Sequence, residues 1–313
     1  MSGLDASAAA HLARMAEVGL PPLTDLSAVE ARRRFAEGYA ADQSPHVAVA
    51  ARFEITVGEV QVMGWRGIGA PSSGAPALMY LHGGGWLFGS PESHEGICRQ
   101  IANLAKAVVI APDYGLSPEA PFPAGLNDCA AVLRHIAGAA REFGVDQQRI
   151  AVGGDSAGGN LAAVLALMAR DGDVPPLAAQ LLIYPNTDQG QTADSFRRYG
   201  HGFGLSAAEM AWFRDHYLHG PEQFDDWRAS PLRAKSLDEV APAAVVLAGH
   251  DILHDEGAAY AARLERESRA VTRTWPGQIH GFVSMDRRIP EASEALKWLC
   301  SAWAWLEAAD QAD

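Results

Sequence analysis

The amino-acid sequence predicts an α/β fold with a mostly parallel central sheet, helices on both faces and a helical cap. Three observations carry this prediction. Short apolar segments alternate with helical segments from residue 76 onwards, as in strand–helix–strand units. The apolar segment 149–152 passes through a glycine-rich turn straight into a helix. The segment 186–240 interrupts the alternation with a helical pattern at 207–218, as a lid would, although a passive surface insertion is the alternative.

Two helices are predicted before the alternation begins, over residues 4–18 and 27–41. Ser27 and Glu30 have the spacing of a capping box, which marks the start of the second helix. The three adjacent arginines at 32–34 indicate a solvated helix face rather than a binding patch.

A hairpin and then the alternating strands and helices follow. Residues 47–57 and 60–65 alternate apolar and polar side chains on either side of a Gly-Glu turn, which favours an antiparallel hairpin. Apolar segments typical of buried strands lie at 76–81, 107–111, 149–153, 178–184, 243–248 and 271–275. Helical segments lie between and after them at 93–104, 122–143, 156–170, 256–268 and 290–308.

Composition argues against several classes of partner. The chain has 313 residues, with 38 acidic and 25 basic side chains and a formal charge of −13, which would repel nucleic acids and anionic membranes. No apolar run approaches the roughly 18 residues of a membrane span, and no secretory signal is expected at the N-terminus. Three widely spaced cysteines in apolar contexts indicate free thiols, so we expect a reducing, cytoplasmic compartment.

The glycine-rich turn, residues 153–159, reads Gly-Gly-Asp-Ser-Ala-Gly-Gly. A Gly-x-Ser-x-Gly sequence between a strand and a helix is typical of a nucleophile elbow, in which the serine adopts a strained backbone conformation and exposes its hydroxyl. The sequence therefore predicts Ser156 as a nucleophile. An ordinary strand-to-helix turn is the alternative interpretation.

A second glycine cluster predicts the donors that such a nucleophile needs. His82-Gly83-Gly84-Gly85-Trp86 follows the strand at 76–81, and bare backbone amides there could approach a substrate oxygen closely. We expect the amides of Gly83 and Gly84, with that of Ala157, to form an oxyanion hole. Neither cluster has the Lys-Ser/Thr of a phosphate loop, and a purely structural glycine turn remains the alternative.

His280 is the candidate base, because it alone among the eleven histidines follows the last predicted strand. Asp251, directly after the strand at 243–248, is the candidate for the acid that orients it. Asp255 is the rival, but its position suits the N-cap of the following helix better.

Three other histidines are interpreted differently. His82 is expected to shape its own loop through backbone hydrogen bonds. His216 and His219 are three residues apart on a predicted helix and could bind a metal, yet no third ligand is spaced to help them. We interpret these two as surface residues.

Taken together, these segments resemble the hormone-sensitive-lipase-like esterases, also called the bacterial family IV carboxylesterases. The matching segments span roughly residues 76–285 and are His82–Gly85, Gly154–Asn160, Asp251–Glu256, His280–Phe282 and Pro112–Tyr114 with Pro118-Glu119. Three positions depart from the common pattern of that family: Gly115 and Ser117 stand where it has Arg and Ala, and Ile252 stands in place of Pro. No departure removes a catalytic group.

The resemblance implies an α/β-hydrolase fold in which residues 1–45 and 186–240 form the cap. Residues 46–185 and 241–313 would then form the catalytic core. It implies a serine esterase that acts on short- to medium-chain carboxylic esters through Ser156, Asp251 and His280 and an acyl-enzyme. A small-molecule ester would be its partner, no metal or organic cofactor is needed, and the sequence leaves a homodimer open.

Two alternatives keep the fold but change the function. The same machinery could cleave an amide or formamide, or the chain could be a ligand-binding member whose catalytic set has decayed. The presence of His280 within its motif argues against the second alternative. An apolar acyl or alcohol pocket is expected to be walled by aromatic residues, namely Trp86, Phe88, Phe203, Trp212, Phe213 and Phe282.

Overall fold

The computed structural model describes residues 3–310, so residues 1–2 and 311–313, at the ends of the predicted cap and core segments, lie outside it. Two helices come first, α1 (Ala6–Val18) and α2 (Ala28–Asp42). The predicted capping box is confirmed at the start of α2, where Glu30 N donates to Ser27 Oγ at 3.3 Å and Ser27 N donates to the Glu30 carboxylate at 3.2 Å.

Within residues 3–310, eight strands form a single sheet in the spatial order β1-β2-β4-β3-β5-β6-β7-β8. Their bounds are β1 Ala51–Val57, β2 Val60–Arg66, β3 Ala75–Leu81, β4 Val108–Pro112, β5 Val145–Asp155, β6 Ala179–Ile183, β7 Ala243–His250 and β8 Ala270–Ile279. The strands β1 and β2 form the predicted antiparallel hairpin, and β2 pairs antiparallel with β4. All later neighbours pair in parallel.

The other helices cover the two faces of the sheet. They are α3 Glu95–Ala105, α4 Ala124–Gly138, α5 Ala157–Arg170, α6 Asp194–Tyr199, α7 Ala207–Tyr217, α8 His254–Glu267 and α9 Glu291–Asp310. One apolar cluster packs α4, α5 and α8 on one face, and a second packs α3 and α9 on the other. The predicted α/β class, a mostly parallel sheet between helices, is confirmed.

Differences from the predicted elements have local causes. The helix α4 ends at Gly138 rather than at residue 143, and α6 was not predicted. The strand β5 begins at Val145, before the apolar segment that predicted it. The prediction missed this start because residues 146–149 are polar and partly exposed. An apolar pattern cannot mark such an exposed start.

The strand order positions the site. The chain moves from β3 to β4 in one direction across the sheet and then returns past β3 to β5, so the connections diverge between β3 and β5. In open α/β sheets, ligands bind in the crevice at the carboxyl ends of strands where this reversal occurs. One predicted glycine cluster follows β3, and the other begins in the last residues of β5.

The segments predicted as a cap share an apolar cluster. Ala31 of α2, Phe88, and Met210 and Phe213 of α7 are buried together, with Leu23 and Leu205 against them. Residues from Tyr217 to Val240, however, pack in the same cluster as α4 and α5. The division into cap and core segments stays a prediction, and the second half of the insertion packs with the core helices.

Candidate active site

Ser156 lies between β5 and α5 in a strained conformation, with φ 55° and ψ −116°. A Cβ at Gly154 or at Gly158 would overlap the backbone carbonyl of Leu81, so only glycine fits on either side. The amide of Ser156 donates to Ile183 O at 2.9 Å, which ties the turn to the end of β6. These constraints expose the Ser156 side chain at the edge of the sheet, where it lines a cavity.

The structure brings the three predicted catalytic side chains into one row. His280 Nε2 lies 2.9 Å from Ser156 Oγ, and His280 Nδ1 lies 2.7 Å from Asp251 Oδ2. Because a carboxylate only accepts, the proton lies on Nδ1, and Nε2 is left to accept from the serine hydroxyl. The Asp251 side chain is buried, and its Oδ1 accepts from Leu253 N at 2.8 Å.

Asp255 does not cap its own helix as predicted, because α8 already begins at His254. Its carboxylate instead accepts from Ser195 N at 2.9 Å, in the first turn of α6, and pairs with Arg198 at 2.6 Å. The group that contacts His280 is therefore Asp251, and Asp255 fixes a neighbouring helix.

The oxyanion-hole prediction needs one correction. The amide of Gly83 donates to Asp155 Oδ1 at 3.0 Å and is not available to a substrate. Among residues 3–310, Gly84 N and Gly85 N have no hydrogen-bond acceptor, and both glycines line the cavity. Ala157 lines it as well, and as the first residue of α5 it has no intrahelical acceptor for its N–H.

A cavity of about 530 Å³ opens above Ser156. We call residues 83–85, 156–157 and 280 its floor, and the lining residues within 15–23 and 205–213 its roof. The roof is mostly apolar, with Met15, Val18 and Leu20 from the N-terminal segment. The floor therefore carries the predicted catalytic groups, and the roof, which also includes Glu209, adds a mostly apolar surface for the rest of a substrate.

Comparisons with known proteins show the family of the chain. The family model described as the alpha/beta hydrolase fold matches residues 78–284. The chain is 39% identical to an ethyl acetate hydrolase of Pseudomonas putida over 74% of each chain. It is 39% identical to the esterase LipI of Mycobacterium tuberculosis over 71% of this chain and 70% of that protein.

Solved structures are similar over almost the whole chain. An α/β hydrolase enzyme, LAE6, from the metagenome of Lake Arreo in Spain is 35% identical with a TM-score of 0.93, over 99% of this chain and 100% of that one. A thermostable esterase from Pseudomonas putida is 30% identical with a TM-score of 0.91, over 98% of both chains. The chain belongs to the α/β-hydrolase family. The resemblance inferred from the sequence motifs is thereby confirmed.

In this α/β hydrolase, His82 shapes its own loop, as predicted. Its Nδ1 donates to Gly83 O at 2.9 Å, and its ring stacks on Tyr114 at 4.2 Å between centroids. Burial lowers the pKa of His82 to about 3, so the imidazole is neutral at physiological pH. The hydroxyl of Tyr114 donates to His82 O at 2.6 Å and fixes the start of the glycine turn.

A buried polar cluster behind the floor was not found from the sequence. Asp155 Oδ1 accepts from Tyr80 OH at 2.8 Å as well as from Gly83 N, and His94 Nε2 lies 3.3 Å away. Burial opposes ionisation, but His94 and the Tyr80 hydroxyl outweigh it and hold the pKa of Asp155 below its usual range. Asp155 is thus a carboxylate that anchors the glycine turn. Its place beside Ser156 was the only sequence signal.

Arg32 is a second residue that the sequence analysis misjudged. Its guanidinium donates to Leu87 O at 2.8 Å and Ser117 O at 2.6 Å, and it pairs with Glu119 at 2.5 Å. The arginine run is therefore not uniformly solvated, since Arg32 ties α2 to the loop that follows the floor. Arg33 pairs with Glu37 on the surface, as expected of a solvated face.

The six predicted wall residues divide evenly. Trp86, Phe88 and Phe213 line the cavity of this hydrolase. The other three are absent from its lining within the described chain. Phe282 is fully buried against Tyr184 and Trp275, and Phe203 stacks on His250 with centroids 5.7 Å apart.

Trp212 is the third of these, and it packs on Phe88 and on His216, at 6.0 and 4.6 Å between centroids. His216 Nδ1 donates to Trp212 O at 2.8 Å and is engaged within its own helix. No group of three or more His, Cys, Asp or Glu side chains within residues 3–310 is arranged to hold a metal ion. In the same range, no helix is long and apolar enough to cross a membrane.

Proposed function

We propose that this enzyme hydrolyses short- to medium-chain carboxylic esters, with Ser156 as the nucleophile of an acyl-enzyme mechanism. One observation carries the proposal: the row Asp251–His280–Ser156, with contacts of 2.7 and 2.9 Å, opens into a largely apolar cavity. Relatives named as esterases and carboxylic ester hydrolases support the ester substrate.

In acylation, Ser156 Oγ attacks the ester carbonyl while His280 Nε2 takes its proton. Asp251 holds the imidazole with its Nδ1 protonated and stabilises the imidazolium that forms. The imidazolium then protonates the alkoxide oxygen as the ester C–O bond breaks, so the alcohol leaves neutral and the acyl group stays on Ser156.

The negative oxygen of the tetrahedral intermediate would be held by the amides of Gly84, Gly85 and Ala157. This set replaces the one predicted from the sequence, because Gly83 N is engaged by Asp155. Donors fixed before the reaction cost no reorganisation as charge develops, which is why they accelerate acyl transfer.

In deacylation, water takes the place of the alcohol. His280 Nε2 removes a proton from the water as it attacks the acyl carbon, and the same amides hold the second oxyanion. Collapse of that intermediate releases the carboxylic acid and returns the proton to Ser156. The apolar roof, drawn from the two predicted cap segments, suits substrates with small or medium acyl and alcohol groups.

The test replaces Ser156 with Ala. Hydrolysis of p-nitrophenyl acetate and hexanoate should fall on the order of 10⁴-fold or more in kcat, with the circular dichroism spectrum unchanged. Ser301→Ala, on the surface of α9, is the matched control and should keep full activity. A fluorophosphonate should label the native protein and Ser301→Ala but not Ser156→Ala. Undiminished hydrolysis in the Ser156 variant would end the proposal.

A further inference from the structure

The buried cluster behind the floor extends from Asp155 into the N-terminal helix α2. His94 is fully buried, and its Nε2 faces three polar groups: Asp155 Oδ1 and Gly83 N, each at 3.3 Å, and Tyr39 OH at 2.8 Å. The Tyr39 ring lies on the imidazole, with centroids 4.8 Å apart. The phenol of α2 therefore makes the shortest contact to this nitrogen.

The other nitrogen of His94 is held by Ser93. His94 Nδ1 lies 2.8 Å from Ser93 Oγ, and the Ser93 hydroxyl also contacts Ser90 O and accepts from Ser90 N, each at 2.9 Å. The imidazole orientation is thus set from one side by Ser93 and from the other by Tyr39.

We propose that Tyr39 is a positioning residue for ester hydrolysis: it holds His94, and through His94 and Asp155 it fixes the glycine turn whose Gly84 and Gly85 amides bind the oxyanion. This inference rests on the proposed function. The contacts run from Tyr39 OH to His94 Nε2, from there to Asp155 Oδ1, and from Asp155 to Gly83 N. Gly83 is the residue directly before the two free amides.

The physical cost of losing the hydroxyl falls on buried groups. Without Tyr39 OH, His94 Nε2 loses its closest hydrogen-bond partner in a site without exposure to water. An unsatisfied buried polar atom destabilises its arrangement, so the imidazole would shift toward another partner and its contact with the Asp155 carboxylate would change. A shift of Asp155 would move the turn, and amides that must lie about 3 Å from the oxyanion would lose their alignment.

The ionisation states agree with this role. Burial raises the pKa of Tyr39 well above its usual value, so the group remains a neutral phenol. Asp155 stays a carboxylate for the reasons given above, and so remains an acceptor for Gly83 N.

The experiment compares Tyr39→Phe with Tyr260→Phe. Tyr260 is the control for the loss of a tyrosine hydroxyl, because its own hydroxyl in α8 has no hydrogen-bond partner in the described part of the chain. Unlike Tyr39, Tyr260 does not line the cavity. For Tyr39→Phe we expect kcat to fall about tenfold with KM within about twofold, by the same factor for acetate and hexanoate esters. Tyr260→Phe should keep the native kcat.

A transition-state analogue separates positioning from general damage. A trifluoromethyl ketone forms a tetrahedral adduct with Ser156 that places a negative oxygen in the oxyanion hole. Its inhibition constant should rise by the same factor as kcat falls in Tyr39→Phe, while the melting temperature stays within a few degrees. The double variant Tyr39→Phe/His94→Gln should lose no more activity than His94→Gln alone, since both changes break one chain of contacts.

Three outcomes would overturn the inference. They are an unchanged kcat in Tyr39→Phe, a change in KM that varies with acyl length and indicates direct substrate contact, and additive losses in the double variant. Failure of the proposed function is recognised separately, because Ser156→Ala would then retain hydrolysis whatever the result at Tyr39.

Discussion

The floor and the roof of the cavity are held in place by different physical means. The floor depends on backbone geometry: Ser156 has φ 55°, Gly84 φ 117° and Gly85 φ 60°, and buried hydrogen bonds hold the turn from behind. The N-terminal part of the roof depends on apolar side chains that stay partly in water, with Met15 51%, Val18 59% and Leu20 60% exposed, whereas Met210 and Phe213 of α7 are buried. The floor therefore tolerates little displacement, whereas the exposed part of the roof can change with small loss.

Because of this difference, we expect the floor to govern the rate of catalysis and the roof to govern the choice among substrates. Hydrogen-bond donors must lie within a few tenths of an ångström of their positions to stabilise developing charge. Apolar contact is non-directional and roughly proportional to the area covered, so a roof of leucine, valine and methionine can accept several acyl groups. We expect changes in the floor to reduce kcat for every substrate and changes in the roof to alter the preference among substrates.

Apart from Ser156 itself, the largest effect is expected at Gly85. A Cβ there would overlap the ring of Phe213, and φ 60° is strained for any L side chain. Gly85→Ala should displace an amide of the oxyanion hole and lower kcat about 10²- to 10³-fold for acetate and hexanoate esters alike. Steady-state kinetics with both esters measures this.

Gly172→Ala is the control for backbone strain. Gly172 has φ 83°, and its added Cβ would meet no atom within 4 Å. This variant should lose about 1 kcal/mol of stability without loss of kcat. If Gly85→Ala kept native kcat, the amide of Gly85 would not belong to the oxyanion hole. The floor would then tolerate more displacement than its comparison with the roof implies.

A second prediction concerns a buried carboxyl that supports the floor. Glu256 Oε1 accepts from Thr187 N at 2.8 Å and from Asn186 Nδ2 at 3.0 Å, and Asn186 N donates to Ser156 O at 3.2 Å. Burial raises the pKa of Glu256 well above its ordinary value of 4.5. The folded protein then binds a proton that the unfolded chain releases, so stability is lost as the pH rises from about 4.5 toward the raised pKa.

Glu256→Gln, which mimics the protonated form, should remove this loss. Urea unfolding at pH 5 and pH 8 should show the variant gaining stability relative to the native protein as the pH rises, by about 1.4 kcal/mol for each unit of raised pKa crossed. Glu142→Gln, at an exposed position, should show no such trend. A difference between Glu256→Gln and the native protein that stays constant with pH would mean that Glu256 is ionised in the fold.

The floor could largely be predicted from the sequence, and the reason is geometric. Gly154 and Gly158 are required on either side of Ser156, so the turn carries its own signature. Asp251 and His280 each follow a parallel strand, and parallel strands end at one edge of a sheet. Strand order and strand ends can be inferred from local patterns, and they bring these residues together.

The sequence could not predict which of several residues of the same type takes a given role. Gly83, Gly84 and Gly85 are all glycines, and only the contact of Gly83 N with Asp155 shows which backbone amide is already hydrogen-bonded. The role of Arg32 likewise depends on carbonyl groups 55 and 85 residues away along the chain.

The roof was predicted least well. Aromatic residues near the site were expected as walls, yet Phe282 fills the core and Phe203 stacks elsewhere. The aliphatic side chains of the N-terminal segment line the cavity instead. Which face of a helix meets a cavity depends on how that helix docks, and residue type does not encode this docking.

The smallest effect is therefore expected in the roof, at Leu20. This side chain lines the cavity while 60% exposed, so a long acyl or alcohol chain would cover it and a short one would not. Leu20→Ser should lower kcat/KM for p-nitrophenyl octanoate about three- to fivefold, because roughly one CH₂ group of burial is worth about 0.8 kcal/mol. The value for the acetate ester should stay within about 1.5-fold.

Val29→Ser is the matched control, since Val29 is 69% exposed on α2 and is not among the described residues that line the cavity. It should leave the octanoate-to-acetate ratio of kcat/KM unchanged. An equal loss for both esters in Leu20→Ser would instead place Leu20 with the floor, as a residue that the geometry of the reaction requires. A change in the ratio alone would show that the roof selects among substrates by the apolar area they cover, without altering the chemistry beneath it.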